Sequence, residues 1–260
     1  SWVSFSNDKA MGYNEDSKIT THPVYSAIKD TDESQANFDM IVYYKGSSLL
    51  KQMYYFVGHE NFGKGLNNYF NKYAWSNTVF DNFVGMMVDS SNNLQNSEIF
   101  DSGNNGNKSL CLKTLASSWL CKAGLTLISL DLKEDNGIIK SFNIVQTPEL
   151  QQHSTLQTLM IDVLFIYEDH SEKEFKRVLV LPNEVTNIKT FEGLKTPSAV
   201  ILNHNDWAYV KWQLCDRTFN YVSKNYDRLS AIDKMLCIKS IYDKARDGKM
   251  SSLKFLEAAL

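Results

Sequence analysis

The chain has 260 residues, of which 43% are hydrophobic and 22% are charged, and its formal net charge is −3. This balance is typical of a soluble globular protein rather than a disordered one. With no basic stripe and no apolar run of membrane-spanning length, the sequence predicts neither nucleic-acid binding nor a membrane span.

The first part of the chain, up to about residue 124, has a helical pattern of apolar residues. Apolar side chains recur mostly at spacings of three and four between Phe38 and Val57, which predicts one helix over that range. Gly46 lies inside it, and because glycine costs about 1 kcal/mol against Ala in a helix, we expect it to allow close backbone packing. Asn61 is the predicted N-cap of the second helix, and Asn77 or Thr78 that of the third.

Between the first two helices stands GHENF, residues 58–62, which begins like the zinc-peptidase motif H-E-x-x-H. That motif needs a second histidine four residues after the first, on the same helix face. Here the position is Gly63, and the other histidines are scattered. We therefore interpret His59 as a solvent-facing loop residue in a turn between helices.

A polar segment, residues 89–107, predicts a loop, and a fourth helix is predicted over about 108–123. The four cysteines have no C-x-x-C spacing, which argues against a zinc ribbon or a redox pair. Cys111 and Cys121 are too far apart along one helix to form a disulfide. We interpret all four as reduced thiols of an intracellular, cytoplasmic protein. A glycosylation acceptor triplet at 107–109 leaves a secreted or membrane-anchored ectoenzyme open.

From residue 125 the pattern changes to strands. Residues 125–147 predict a hairpin with its turn at Asn136-Gly137, and the nearly continuous apolar run 158–168 predicts a central strand. Six or seven short strands in about ninety residues indicate a β-sandwich. Helical periodicity returns after Cys215. The sequence thus predicts an α+β multidomain chain: helices over 1–124, an antiparallel β-sandwich over 125–215, and the beginning of a helical domain over 216–260.

Several motifs, in this order, resemble those of the M1 zinc aminopeptidases (the aminopeptidase N and puromycin-sensitive group). They are THPV (21–24), FDMIVYYKGSS (38–48), GHENFGKGLNNY (58–69), YAWSNTVFDNF (73–83), WLCKAG (119–124) and ILNHNDWAYVKWQL (201–214). The match at residues 38–48 is the specific one among them. The resemblance implies the C-terminal helical half of a thermolysin-like catalytic domain, then the sandwich, then the first helices of the C-terminal domain.

The resemblance also implies a zinc-dependent enzyme that hydrolyses N-terminal residues from peptides. The family binds zinc through H-E-x-x-H and a downstream Glu, and holds the substrate amino terminus through G-x-M-E-N. Neither motif is present, so we expect the zinc ligands to lie upstream, outside this chain, and the isolated segment to be inactive. The start at Ser1 without Met, and the uncapped helical end, also lead us to expect further polypeptide on both sides.

Tyr43 matches the family tyrosine that stabilises the tetrahedral intermediate, because it lies two residues before Lys45. From the residues alone, the better interpretation of Tyr43 is a half-buried helix aromatic whose hydroxyl bonds a neighbour, because tyrosines are common in helices. We interpret Tyr44 as structural and Lys45 as either a salt-bridge partner or a surface lysine. His22, before Pro23, is expected in an extended loop near the cleft.

Four tryptophans are expected in the core rather than on a substrate platform: Trp75, Trp119, Trp207 and Trp212. The acidic cluster of Asp131, Glu134 and Asp135 is expected to be solvated. A non-catalytic scaffold or protein-interaction segment of the same fold remains the alternative function. Retention of Tyr43 favours the enzyme, because a scaffold needs no hydroxyl there.

Overall fold

The structure, a computed structural model, describes residues 2–91 and 112–259. Its helices, in chain order, are α1 (Trp2–Asp16), α2 (Thr31–Ala36), α3 (Met40–Val57), α4 (His59–Lys72), α5 (Phe80–Ser91), α6 (Leu112–Leu120), α7 (Asp216–Asn225), α8 (Ala231–Arg246) and α9 (Ser252–Ala259). Its strands are β1 (Thr126–Asp135), β2 (Ile138–Pro148), β3 (Leu159–Ile166), β4 (Glu172–Val180), β5 (Val185–Asn187), β6 (Ala199–His204) and β7 (Lys211–Gln213).

In the N-terminal part, α3 contacts α1, α4 and α6, and α5 packs on α4 and α6. The Asp39 carboxylate accepts hydrogen bonds from the backbone N–H groups of Ile41 and Val42, at 2.9 and 3.1 Å. This is an N-cap, and Gly58 ends the helix with a φ of 86°. The predicted helix over 38–57 is therefore confirmed to within two residues.

The seven strands within the described residues form two sheets, with strand orders β5-β2-β1-β7 and β4-β3-β6. Phe142 of β2 and Phe165 of β3 meet between the sheets with ring centroids 5.6 Å apart, and Phe191 contacts both. All residues of β3 are buried, as expected for a central strand. Among the described strands every pair is antiparallel except β1 with β7, which is parallel. The predicted α+β class is confirmed.

The β1–β2 hairpin forms where the sequence predicts it. Asn136 and Gly137 connect the strands with φ values of 51° and 74°, as a two-residue turn with left-handed residues requires. The acidic side chains near its tip, Asp131, Glu134 and Asp135, are exposed. Glu134 also forms an ion pair of 2.9 Å with Arg217 at the start of α7.

The C-terminal helices pack on the sandwich and on α1. The Thr218 hydroxyl of α7 donates to the carbonyl of Val200 and accepts from its N–H, both at 3.0 Å. In α8, the Ser240 hydroxyl accepts from the N–H of Leu214 at 2.9 Å. α8 also contacts α1, so one of the C-terminal helices packs against the first described helix.

Several local predictions are wrong. α4 begins at His59 with Gly58 as its cap residue, whereas the Asn61 side chain donates to the carbonyl of Val57. A Cβ atom on Gly46 would lie 3.9 Å from Val24, so this glycine is not needed for close packing. Close backbone packing instead requires glycine at position 12 of α1, because a Cβ on Gly12 would lie 2.8 Å from the Cβ of Tyr44.

The tryptophan prediction is right for Trp119 and Trp212, which are buried, and wrong for Trp75, which is fully exposed with a φ of 60°. Trp207 is partly buried and stacks on Tyr55. The predicted loop over 89–107 lies almost entirely outside the described residues, as do Cys111 and the triplet at 107–109. The predicted fourth helix is described from Leu112 onward and ends at Leu120.

Candidate functional site

Tyr43 lies in the first turn of α3, and its side chain is 54% exposed. Its ring packs edge-on against Phe38, with centroids 5.2 Å apart. None of the described residues forms a hydrogen bond with its hydroxyl. This geometry differs from the half-buried tyrosine, bonded to a neighbour, that the residues alone suggested. The Tyr43 hydroxyl is accessible to a hydrogen-bond partner outside the described residues.

The exposed face that carries Tyr43 continues along α3 into an apolar groove. Ser47, Leu50 and Tyr54 follow Tyr43 at helical spacing and lie on that face. The groove has a volume of about 650 Å³ and is lined by side chains of α1, α3, α4 and α5: Trp2, Phe5, Ser47, Leu50, Lys51, Tyr54, Phe62, Leu66 and Phe83. Lys51 is the one charged residue that the described part of the chain contributes to this lining.

On the opposite face of α3, the Lys45 ammonium is buried and fully hydrogen-bonded. It donates to Asp16 Oδ2 at 3.0 Å, to the carbonyl of Lys122 at 3.1 Å and to the carbonyl of Gly124 at 2.9 Å. Lys45 is therefore the salt-bridge partner that the sequence allowed and not a surface lysine. Burial lowers its pKa, and the charge of Asp16 and the hydrogen bond to it oppose this shift.

Asp16, at the end of α1, is held by partners of its own. Its Oδ1 accepts from the N–H of Gly124 at 3.1 Å and from the hydroxyl of Thr21. The Thr21 hydroxyl in turn accepts from the same N–H at 3.1 Å. Asp16, Thr21, Lys45 and Gly124 thus join α1, the segment after it, α3 and the segment after α6 in one buried cluster, which we call the Lys45 cluster.

A second contact holds the beginning of α3. His22 Nε2 lies 3.0 Å from Asp39 Oδ2, and His22 Nδ1 lies 2.9 Å from the carbonyl of Pro23. His22 is in an irregular segment, as predicted, and is partly buried. Asp39 therefore caps α3 with one carboxylate oxygen and binds His22 with the other, four residues before Tyr43.

Tyr44 and His59 have partners inside the chain. The Tyr44 side chain packs on α1, where its hydroxyl lies 3.8 Å from Met11 Sδ, in agreement with a structural role. His59 is exposed in the first turn of α4, and its Nδ1 lies 3.2 Å from the Tyr54 hydroxyl. The prediction that His59 faces solvent is right, but the residue belongs to a helix and not to a loop.

The described residues do not supply a metal site. Within residues 2–91 and 112–259, no three His, Cys, Asp or Glu side chains are grouped so that they could hold a metal ion. None of the described helices combines the length and apolar character needed to cross a bilayer.

Comparison with known proteins identifies the family. The Peptidase family M1 domain matches residues 1–102. Aminopeptidase N from Streptomyces lividans is 30% identical over 271 aligned residues, which cover 100% of this chain and 30% of that protein. The chain belongs to peptidase family M1. The predicted family resemblance is thereby confirmed.

Other similar M1 relatives are aligned over almost the whole chain. An alanine/arginine aminopeptidase from Saccharomyces cerevisiae is 23% identical over 98% of this chain and 27% of its own length. A protein named Tricorn protease-interacting factor F2, from Thermoplasma volcanium, is 23% identical over 93% of this chain and 26% of its own length. This M1 chain therefore spans less than a third of the length of the relatives that it matches.

In this M1 chain, the motif at 202–211 joins the sandwich to the helices. Asn203, Asn205 and Asp206 form a turn with φ values of 59°, 63° and 55°, a left-handed conformation that Asn and Asp tolerate best after glycine. Lys9 of α1 binds the Asp206 carboxylate at 2.5 Å. Lys51 of α3 donates to the backbone carbonyls of Asn205 and Asp206, at 3.1 and 2.8 Å.

Sequence reasoning missed most of these buried contacts. Lys9 and Asp16 lie on a helix that was not predicted, and no short motif contains them. A signal was present for Thr21, Lys45, Gly124 and Asp206, because each lies in a motif that carries the family resemblance. The structure brings these separate motifs together at two places, the Lys45 cluster and the turn at 203–206.

Proposed function

We propose that this chain is a segment of a zinc-dependent aminopeptidase, which removes N-terminal residues from peptides. Tyr43 donates a hydrogen bond to the oxyanion of the tetrahedral intermediate. The zinc ligands, and the residues that bind the substrate amino terminus, belong to the part of the polypeptide outside this chain. The 260-residue segment alone is then inactive.

The observation that carries this proposal is the environment of Tyr43. Its hydroxyl is exposed and has no partner among the described residues, while its helix is held on the opposite face by Lys45. A phenol is neutral at pH 7 and donates a strong hydrogen bond, which suits an oxyanion that is absent from the substrate and develops as the tetrahedral intermediate forms. Zinc, bound elsewhere in the protein, would supply Lewis-acid chemistry and an activated water.

We further propose the domain boundaries given by the sequence: 1–124, 125–215 and 216–260. The first range contains all helices around α3, and the second contains both sheets. In this proposal the first range completes a catalytic domain whose remaining part is elsewhere in the polypeptide. The substrates are peptides, and no nucleic acid takes part.

The test is Tyr43→Phe in the full-length protein, with hydrolysis of alanyl and leucyl amides as the assay. Loss of one oxyanion donor typically lowers kcat by about 10²–10³-fold, or roughly 3–4 kcal/mol of barrier. Tyr44→Phe is the matched control, because the one hydrogen bond that its hydroxyl forms with the described residues is the 3.8 Å contact with Met11 Sδ. It should leave kcat within about twofold of the wild type.

Two further measurements separate the enzyme from the alternative, a non-catalytic M1 scaffold. The full-length protein should contain one zinc per chain, and the 260-residue segment none. A full-length protein without zinc and without activity favours the scaffold. Hydrolysis by the 260-residue segment itself, or wild-type kcat in Tyr43→Phe, would overturn the assignment of the site.

A further inference from the structure

Tyr43 and Lys45 point to opposite sides of the same helix. Successive residues of an α-helix are rotated by about 100°, so positions 43 and 45 are about 200° apart around the axis of α3. The structure agrees, since Tyr43 is 54% exposed and Lys45 is 1% exposed. A fixed position of Lys45 therefore determines which way Tyr43 is directed.

The Lys45 cluster holds its lysine by every donor that an ammonium group has. A lysine ammonium carries three N–H donors. All three are used, on Asp16 Oδ2 and on the carbonyls of Lys122 and Gly124. The three acceptors come from the end of α1 and from the segment after α6, so Lys45 cannot rotate with α3 unless it breaks buried hydrogen bonds.

The acceptor carboxylate is itself fixed. Asp16 is fully buried, and its Oδ1 is occupied by the N–H of Gly124 and the hydroxyl of Thr21. Its Oδ2 is left for Lys45. A buried carboxylate that lost Lys45 would be an unpaired charge in the interior, which is strongly unfavourable, so the pair has one stable arrangement.

We infer that Lys45 and Asp16 are positioning residues that set the direction of the Tyr43 hydroxyl. This inference rests on the proposed function. A tyrosine hydroxyl lies about 9 Å from its helix axis, the Cα atoms being at about 2.3 Å, so a rotation of roughly 6° moves it by about 1 Å. A displacement of this size is enough to lower a rate by about 100-fold. The buried pair prevents such a rotation.

The experiment is Lys45→Met in the full-length protein, made both in the wild type and in Tyr43→Phe. In the wild-type background we expect kcat to fall by about 10–100-fold with KM changed less than about twofold, because the substrate-binding residues lie elsewhere. In the Tyr43→Phe background we expect less than a twofold further change, because the hydroxyl that Lys45 directs is already absent.

Loss of stability is separated from loss of positioning by a second variant. Lys45→Met combined with Asp16→Asn removes both charges and leaves no unpaired ion in the interior. We expect its melting temperature to recover relative to Lys45→Met alone, while kcat stays low. Recovery of kcat together with the melting temperature would mean that the pair only stabilises the fold, and would overturn the inference.

Lys51→Met is the matched control. Lys51 is a second buried lysine of α3, six residues further along, and its ammonium binds carbonyls of the 203–206 turn instead of Asp16. We expect Lys51→Met to lower the melting temperature. We expect its effect on kcat, if there is one, to be the same in the wild-type and Tyr43→Phe backgrounds.

The experiments distinguish a failure of the role proposed for Tyr43 from a failure of the positioning role inferred for Lys45 and Asp16. If Tyr43→Phe leaves kcat unchanged, the proposed role of Tyr43 fails and the inference fails with it. If Tyr43→Phe lowers kcat but Lys45→Met has the same effect in both backgrounds, the inference alone is overturned.

Discussion

Replacement of Gly12 by Ala tests the packing of α1 on α3. A Cβ at this position would lie 2.8 Å from the Cβ of Tyr44 and 3.0 Å from the Tyr209 hydroxyl. Carbon atoms in contact are separated by about 3.5–4.0 Å, so the helices must move apart by roughly 1 Å. Because a Cβ is fixed to the backbone, Tyr44 cannot relieve this by a change of rotamer. We expect a net loss of up to about 2 kcal/mol of unfolding free energy, because overpacking costs about 1–3 kcal/mol and the gain in helix propensity returns about 1 kcal/mol.

The assay is chemical denaturation of the wild-type and variant proteins, with Gly63→Ala as the matched control. Gly63 is also inside a helix, α4, but apart from its chain neighbours and the nearby backbone of its own helix, no described atom lies within 4 Å of the Cβ that it would gain. There Ala should raise the unfolding free energy by about 0.5–1 kcal/mol. The two variants therefore differ in sign, and a stabilising Gly12→Ala would refute the packing argument.

Two further predictions concern His204 and the thiols. Burial lowers the pKa of His204, but the hydrogen bond to Asp233 and the charges of Asp233 and Glu174 raise it overall above the ordinary value of 6.5. Protonated His204, paired with these carboxylates, therefore stabilises the folded protein fully below about pH 6.5. This stabilisation is lost as the pH rises through the folded-state pKa of His204. Denaturation from pH 5 to 9 should show this loss in the wild type, and a His204→Asn protein with the same pH dependence would contradict it. Cys121 is exposed and Cys237 is buried, and burial raises the pKa of the Cys237 thiol. Iodoacetamide at pH 8 should alkylate Cys121 in the native protein and Cys237 only after denaturation, as read by peptide mass spectrometry; early labelling of Cys237 would show that its site opens.

The elements that the sequence predicts well are those with a strong apolar pattern. α3, the β1–β2 hairpin and the buried strand β3 each have periodicity, or a turn dipeptide, that is sufficient without tertiary contacts. α1 could not be found in this way. Its buried residues are Ser6, Lys9, Gly12, Tyr13 and Asp16, which have helical spacing but are mostly polar. A search for apolar periodicity does not detect a helix whose inner face is held by hydrogen bonds and ion pairs.

Local capping rules also failed where a competing residue was better placed. Asn61 is a good N-cap by composition, but Gly58 already ends α3 in a left-handed conformation and allows α4 to begin at once. Trp75 has a core-type side chain, yet it lies in a turn between α4 and α5 with its ring in solvent.

For the candidate site, the sequence supplied Tyr43 through a motif match, and its exposure came from the structure. The partners of Lys45 could not be read from the sequence. Asp16 lies 29 residues before Lys45, and Gly124 lies 79 residues after it. Contacts of this separation depend on how helices and sheets pack, and one sequence without relatives does not contain that information.

The turn at 203–206 has a consequence for exchanging parts between relatives. Its carboxylate and carbonyls are the partners of Lys9 and Lys51, which lie almost two hundred and about one hundred and fifty residues earlier in the chain. A chimera that took its sandwich from one relative and its helices from another would place two buried ammonium groups against a foreign turn. Successful crossovers should therefore be those in which α1, α3 and this turn are inherited together, although the sequence places them far apart.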